Sequence, residues 1–493
     1  MTLRLKFTAR KPLVILVSAM LATSALTAAA DVGLLSSTTL SSVPANTPAT
    51  SRPMDIGHNP PLLLMHGEPV TLRFDPVCPA APCGSVRGNV RMRAVGETDF
   101  STSALQQDLE PHLLTLSVPN PYLLGEGFDY YATFKENTRG LLAALPASTT
   151  DAPQHVWILD PSRTTDVVLR THTFGASRVQ DEVVLDAGWG RSGNEMGLDS
   201  GPEQIALGPY SFDVAEDGTV SVLDQVNHRV VRHKNGKPSA PIELPLTGAP
   251  ADLAVDRDGT LYVLEHGAGV AGGALTMHVF DPGAKSLAVT SQRLEGRADM
   301  LRMGSRGPEI HTYPADLWAP VLDTNASKSL QRKVVLESAK QLQQARPGYS
   351  IAGAVEGKAL SDSGQLVLKA TSGEVRVAIV DGNSVRHAWR IINAVEGAEF
   401  GEVQLAEMVG DDLLLVVRIW SDDASRGKEG TKSQADFRVL RLHGSETAAD
   451  FSVETKDWAK MSPVGRFHLG SAALYQMQSD ARGTRVVRFG IGG

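Results

Sequence analysis

SFDVAEDGTVSVLD (211–224) and DLAVDRDGTLYVLE (252–265) carry the reading of the fold. Laid over each other at an offset of 41 residues, they match Phe212 with Leu253, Val214 with Val255, Asp217-Gly218 with Asp258-Gly259 and Asp224 with Glu265. Each copy is a short apolar strand, an Asp-Gly turn in which glycine accepts a positive φ, and a second strand that returns antiparallel. A lone hairpin of this kind cannot bury its faces. Four-stranded sheets stacked around an axis can, and a repeat of about 40 residues is the size of one propeller blade.

Toward the C-terminus the rhythm continues less regularly, in MLRMGSRGPEIHTYP (300–314), GKALSDSGQLVLKA (357–370), VQLAEMVGDDLLLVVRIW (403–420) and RFHLGSAALYQMQS (466–479). The last three are followed by a further strand, EVRVAIV, FRVLRLH and RVVRFGI. These landmarks count six units, and their uneven lengths leave five or seven open.

Residues 185–237 resemble an NHL repeat. The likeness rests on Gly188, Gly190 and Gly193, on Gly208-Pro209, on the strand 212–215 and the Asp217-Gly218 turn, and on Val222-Leu223-Asp224 leading to Asn227-His228-Arg229-Val230. It is specific over that stretch and partial over 249–281, where the glycine-rich insertion 268–274 replaces the Asn-x-Arg ending. The resemblance implies that Asp224, Asn227 and Arg229 are structural, tying neighbouring strands by side-chain hydrogen bonds. It also implies that residues 182–185 complete the last blade, whose other strands lie at 466–491, and so close the ring and remove an exposed sheet edge.

The front of the chain reads differently. Arg4, Lys6, Arg10 and Lys11 precede an apolar run from Pro12 to about Leu26, and Ala28-Ala29-Ala30 precede Asp31. This is the pattern of a signal peptide over 1–30, with an uncleaved anchor as the alternative. The run is short for a membrane span, and no later run approaches spanning length, so no transmembrane span is expected after cleavage. Residues 31–55 are rich in Ser, Thr, Pro and Ala and read as a flexible spacer. Residues 56–150 carry the strand-like runs PVTLRFD, NVRMRAV, LLTLSV and FDYYATF between Gly and Pro turns, which suits an immunoglobulin-like or fibronectin-III-like β-sandwich. Tyr130 and Tyr131 stand in a late strand, where such folds often place a corner tyrosine. The propeller is expected over 151–493. The expected architecture is all-β: an N-terminal β-sandwich followed by a six-bladed β-propeller.

The chain's formal net charge is −8, and removing the four cations of residues 1–30 makes it −8 − 4 = −12. Such a chain repels phosphate backbones, and nucleic acid is not an expected partner. Cys78 and Cys83, the sole cysteines, stand in CPAAPC and are expected to form a local disulfide in an oxidising compartment.

No G-x-S-x-G elbow, H-E-x-x-H helix or P-loop is present. Asp256-Arg257-Asp258-Gly259 resembles the opening of an EF-hand loop but lacks its later ligands, and reads as a hairpin turn. The histidines are scattered. Asp213, Asp252, Glu265, His266 and Asp299 are the polar residues expected near the channel mouth, with hydrogen-bonded turn groups as the plainer reading. The loop 422–434 is a charged insertion between strands. Taken together, the expectation is an exported, monomeric, non-catalytic binding or scaffold protein that presents a face to a protein or glycan partner. No cofactor is predicted, with Ca²⁺ the ion to consider. The alternative is a propeller lyase, lactonase or other hydrolase holding a divalent metal in its central channel, which needs several ligands converging from different blades.

Overall fold

The Asp-Gly turns adopt the conformation their sequence requires: Gly218 has φ +79° and Gly259 φ +82°. Asp217 accepts the Thr219 N–H at 2.9 Å and Asp258 accepts the Thr260 N–H at 2.9 Å, so each turn is fastened by its own aspartate. Phe212–Val214 then pairs antiparallel with Val220–Asp224, and Ala249–Val255 with Leu261–His266. Phe212 faces Val222 and Leu253 faces Val263, so the match between the two sequences is a match of register.

The computed structural model describes residues 54–492 apart from 79–82, 109, 111, 139, 141, 147–152, 202–203, 267–273, 294–296, 305–306, 314–316, 321–354, 362–363, 422–433, 457–465 and 471–472. The expected signal peptide, the spacer up to residue 53, nearly all of the glycine-rich insertion and the loop 422–433 lie outside the described residues. Among the described residues the chain is all-β, with eight sheets and two short 3-10 turns at Pro121–Leu124 and Pro161–Arg163.

Two sheets enclose a first core. One is ordered Asp55–Gly57, Val70–Val77, Leu114–Val118, Gln106–Gln107; the other Leu63–Met65, Gln154–Leu159, Gly127–Glu136, Val86–Ala94, Ser101–Ala104, with Leu142–Leu145 beside Gly127–Glu136. Period-two alternation builds the core: in Val70–Val77, Leu72 and Phe74 are fully buried while Thr71 and Arg73 are exposed. They meet Val90, Phe128, Tyr130 and Ile158. Gln154–Leu159 pairs with both Gly127–Glu136 and Leu63–Met65, so a boundary at residue 150 cuts inside this unit, which runs to Leu159. The Tyr130 hydroxyl meets His58 Nε2 at 2.6 Å. Cys78 and Cys83 form a disulfide.

The remaining six sheets follow one another along the chain. Their innermost strands are Phe212–Val214, Ala249–Val255, Arg297–Gly304, Glu356–Ser361, Glu399–Val409 and Phe467–Leu469. Apolar side chains join neighbouring sheets. Leu223 and Val230 of the first meet Leu253 and Val263 of the second, and Tyr262 and Leu264 of the second meet Leu301 and Ile310 of the third. Trp389 and Ile391 of the fourth pack with Val403 and Leu415 of the fifth, and Phe437 and Val439 of the fifth with Phe467 and Phe489 of the sixth. Met477 and Val486 of the sixth return to Phe212 and Val222 of the first. Met300 of the third sheet joins the core of the fourth and fifth. Each sheet thus gains its burial from its neighbours.

Segments far apart in the chain are joined, as the reading of residues 182–185 expected. Glu182–Gly188 pairs antiparallel with Gly483–Gly490 and becomes the outer strand of the sixth sheet. The residues before it form a belt. Thr164–Leu169 runs parallel to Ser384–Asn393 on the fourth sheet, the Arg178 N–H reaches the Ser452 carbonyl of the fifth at 2.7 Å, and Asp181 receives the Gly490 N–H of the sixth at 2.6 Å. Beneath the belt, His172 Nε2 lies 3.1 Å from the buried Asp436 carboxylate. Consecutive sheets stacked side by side, with the front of the chain completing the last one, make a propeller-like all-β fold.

The second face of the fourth sheet is taken by the N-terminal unit. Val367, Ala378, Val380 and Ala388 pack on Leu62, Leu63, Trp157 and Leu159, and Trp157 Nε1 donates to the Gly382 carbonyl at 3.2 Å. Glu68 fastens the seam through Arg376 and through Lys369, the latter at 3.2 Å.

Candidate functional site: an acidic axial cavity

Innermost strands of five sheets end around one cavity of about 320 Å³. Its polar lining includes Asp213 from the first sheet, Asp252 from the second, Arg302 from the third, Glu407 from the fifth and His468 from the sixth. Phe212, Phe467 and Leu469 supply an apolar wall.

Local sequence explains each placement. In Phe212-Asp213-Val214 and in Phe467-His468-Leu469 the polar residue stands between apolar neighbours on a short innermost strand. Alternation sets it on the strand face opposite the phenylalanine, which both lines the cavity and packs into the core between sheets. Glu407 stands in the same way near the end of Glu399–Val409.

Two of the carboxylates also hold sheets together. Asp213 accepts its neighbour's Val214 N–H at 2.7 Å and, across the sheet boundary, the Val255 N–H at 2.7 Å. Asp252 accepts the Leu253 N–H at 2.9 Å and the Leu301 N–H of the third sheet at 2.8 Å. Asp213 further pairs with His468 Nδ1 at 3.0 Å, bridging the first sheet to the sixth. A polar chain thus follows the inside of the ring from the sixth sheet to the third, satisfying backbone donors that burial would otherwise leave costly.

The cations near the cavity are largely spoken for. Arg302 pairs with the buried Glu309 at 2.6 Å, and Arg257 with Glu216 at the rim at 3.3 Å. Asp213, Asp252 and Glu407 therefore face the cavity against His468. Burial pushes the Asp252 carboxyl up to about 7, with the charge of Asp213 adding to the rise against its hydrogen bonds. Burial, and then Asp213, pushes Glu407 up to about 7 as well.

Of the five polar residues expected at the channel mouth, Asp213 and Asp252 line the cavity; Glu265 and His266 do not. Glu265 is buried at the other end of its hairpin, where it accepts N–H groups from Thr247, at 2.5 Å, and Gly248, and lies 2.7 Å from His278 Nε2. His266 closes the same strand. Asp299 lies on Arg297–Gly304 where the ladder to Gly307–Tyr313 skips from Ala298 to Met300. Arg302, Glu407 and His468 are polar lining residues that sequence reasoning missed. The repeat of Phe-Asp-Val as Phe-His-Leu was the available signal for His468.

Asp224, Asn227 and Arg229 form one network around the buried Asp224. Asp224 accepts from Gly197 N at 3.0 Å, Asn227 Nδ2 at 2.8 Å and Arg229 Nε at 3.0 Å. Arg229 also donates to the carbonyls of Arg191 at 2.9 Å and Glu195 at 2.7 Å. Among the described residues, no group of three or more His, Cys, Asp or Glu is placed to hold a metal ion. No helix there is long and apolar enough to cross a membrane.

No known protein family matches the chain, and no curated protein does. Among solved structures, a catalytically inactive virginiamycin B lyase from Staphylococcus aureus with quinupristin is similar at 10% identity and a TM-score of 0.23, over 71% of this chain and 96% of that one. The sialic acid binding region of a Streptococcus sanguinis adhesin bound to 3'sLn is similar at 12% identity and a TM-score of 0.17, over 71% of this chain and 79% of that one. At these scores neither likeness carries an argument about function.

Proposed function

We propose that this is an exported, non-catalytic binding protein that receives a donor group of a protein or glycan partner in its axial cavity. The architecture behind the proposal is an immunoglobulin-like β-sandwich over 54–159 and a six-bladed β-propeller over 164–492, with Asp224, Asn227 and Arg229 as the structural ties of an NHL-like first blade. The observation that carries it is the use of the axial carboxylates. Asp213 and Asp252 are fixed by backbone N–H groups of adjoining sheets, which makes a rigid acceptor-rich recess rather than a set of freely moving acids and bases. Apolar Phe212, Phe467 and Leu469 beside these acceptors suit a group with a polar tip and an aliphatic or sugar-ring body.

Export rests on the signal-peptide pattern of residues 1–30 and agrees with the Cys78–Cys83 disulfide. Screening the mature protein against arrays of glycans and basic peptides tests the binding reading. A retained hit that is lost in the variants Glu407→Ala and Phe467→Ala supports it; hits indifferent to both contradict it. Metal analysis of dialysed protein decides the alternative. Stoichiometric divalent metal would favour the lyase, lactonase or hydrolase reading.

A further inference from the structure

The axial cavity combines a fixed set of acceptors with one carboxylate that is not fixed. Asp213 and Asp252 each hold two backbone N–H groups, and Asp213 also holds His468. Glu407 lines the same cavity and makes no hydrogen bond or ion pair among the described residues. Its ionisation therefore adds negative charge where no cation among the described residues takes it up. A cationic group entering the cavity would take it up.

The groups that face Glu407 across the cavity define the balance. From the first sheet come Asp213 and, at the rim, Glu216; from the second, Asp252, Asp256 and Arg257; from the third, Arg302; from the sixth, His468. Arg257 is matched by Glu216 and Arg302 by Glu309. His468 is matched by Asp213. Among the described residues, Asp252, Asp256 and Glu407 remain as acids without a cation of their own.

We propose that the axial cavity is a proton-controlled site, which takes an alkylammonium-type cation when Glu407 is ionised and releases it when Glu407 is protonated. This rests on the binding reading above. Ionised Glu407 offers an oxygen pair to the N–H donors of the cation, while Phe212, Phe467 and Leu469 cover its carbon body. Protonated Glu407 offers no charge and turns one oxygen into a donor, which faces the cation's own donors. Burial and the Asp213 charge place this change near pH 7, within reach of ordinary variation outside a cell. Asp252, which burial also raises to about 7 in the same cavity, acts in the same direction, so the test must separate the two.

The probe is n-butylammonium, whose charge is constant between about pH 5 and pH 8 because alkylamines titrate in the range of the Lys side chain. Binding to the unaltered mature chain is followed by NMR or calorimetry across that range. Binding should weaken by about tenfold per pH unit below the Glu407 midpoint, as proton linkage at one site requires. Glu407→Gln, which keeps the shape, should bind weakly at every pH. Equal binding at pH 5.5 and 8 overturns proton control and leaves the binding reading standing. A full pH slope retained in Glu407→Gln overturns it too, because Asp252 would then be the controlling group. Absence of binding at any pH overturns the proposal; if glycan and peptide arrays are also empty, the binding reading falls with it.

Discussion

Replacing Asp224 by asparagine tests whether the Asp224–Arg229 network holds the first sheet. Asp224 is fully buried and the Arg229 side chain is 5% exposed, so the pair is out of water. Asparagine keeps one acceptor for Gly197 N and places an NH₂ where Arg229 Nε and Asn227 Nδ2 now donate. Arg229 then stays buried with only the Arg191 and Glu195 carbonyls as partners. Breaking a buried pair from one side costs about 3–5 kcal/mol. Asp217→Asn is the comparison: its 2.6 Å contact with Lys234 joins two groups that are each about half exposed, and such a pair contributes about 1 kcal/mol or less. Urea unfolding of both variants beside the parent protein reads the difference. The double change Asp224→Leu with Arg229→Met should recover much of the loss, since a packed apolar pair can replace a buried ion pair. An Asp224→Asn cost no larger than that of Asp217→Asn would refute the reasoning.

Three further outcomes follow from the same packing. Trp157→Ala, which empties the seam between the N-terminal unit and the fourth sheet, should cost about 3–5 kcal/mol and raise hydrogen exchange in Glu374–Asp381, whereas unchanged exchange there would mean the seam is not packed. Gly218→Ala forces a side chain to φ +79° and should cost about 1 kcal/mol in urea unfolding, as should Gly259→Ala at φ +82°. Glu407 is raised to about 7 in the folded chain, so the fold binds a proton that the unfolded chain has already lost. Stability from this group is present at low pH and is lost as pH rises toward 7. Glu407→Gln should therefore gain on the parent by up to about 3 kcal/mol between about pH 5 and pH 8, read from paired urea curves; a gap that does not widen with pH would contradict the placement of Glu407.

Local chemistry made much of the fold legible. Asp217-Gly218 and Asp258-Gly259 mark hairpins because few residues other than glycine accept the required φ, and apolar alternation beside them fixes which face enters the core. The strand at Glu182–Gly188 was legible only through the NHL resemblance, since nothing local says that it pairs with residues near the other end of the chain. Glu265 shows how a signal can be misread. Its match to Asp224 in the repeat already implied a buried acceptor role, which Thr247, Gly248 and His278 fulfil, but the neighbouring glycine-rich insertion suggested a channel mouth. Glu407 and His468 were not legible as a site. Each looks like an ordinary strand residue, and only closure of the ring brings them to Asp213 across a large separation in sequence.

Closure of that ring is tested most directly by cross-linking its seam. Glu182 and Arg488 are opposite one another in the antiparallel ladder between the front of the chain and its last strand. Paired residues of such a ladder stand about 4.5–5.5 Å apart, within reach of a disulfide. In the double variant Glu182→Cys, Arg488→Cys, mild oxidation of the folded, monomeric protein should join the two new thiols in nearly every molecule, as seen by mass spectrometry of the linked peptides. Thiols that stay free in the folded protein, or that link only between molecules, would contradict the closed ring.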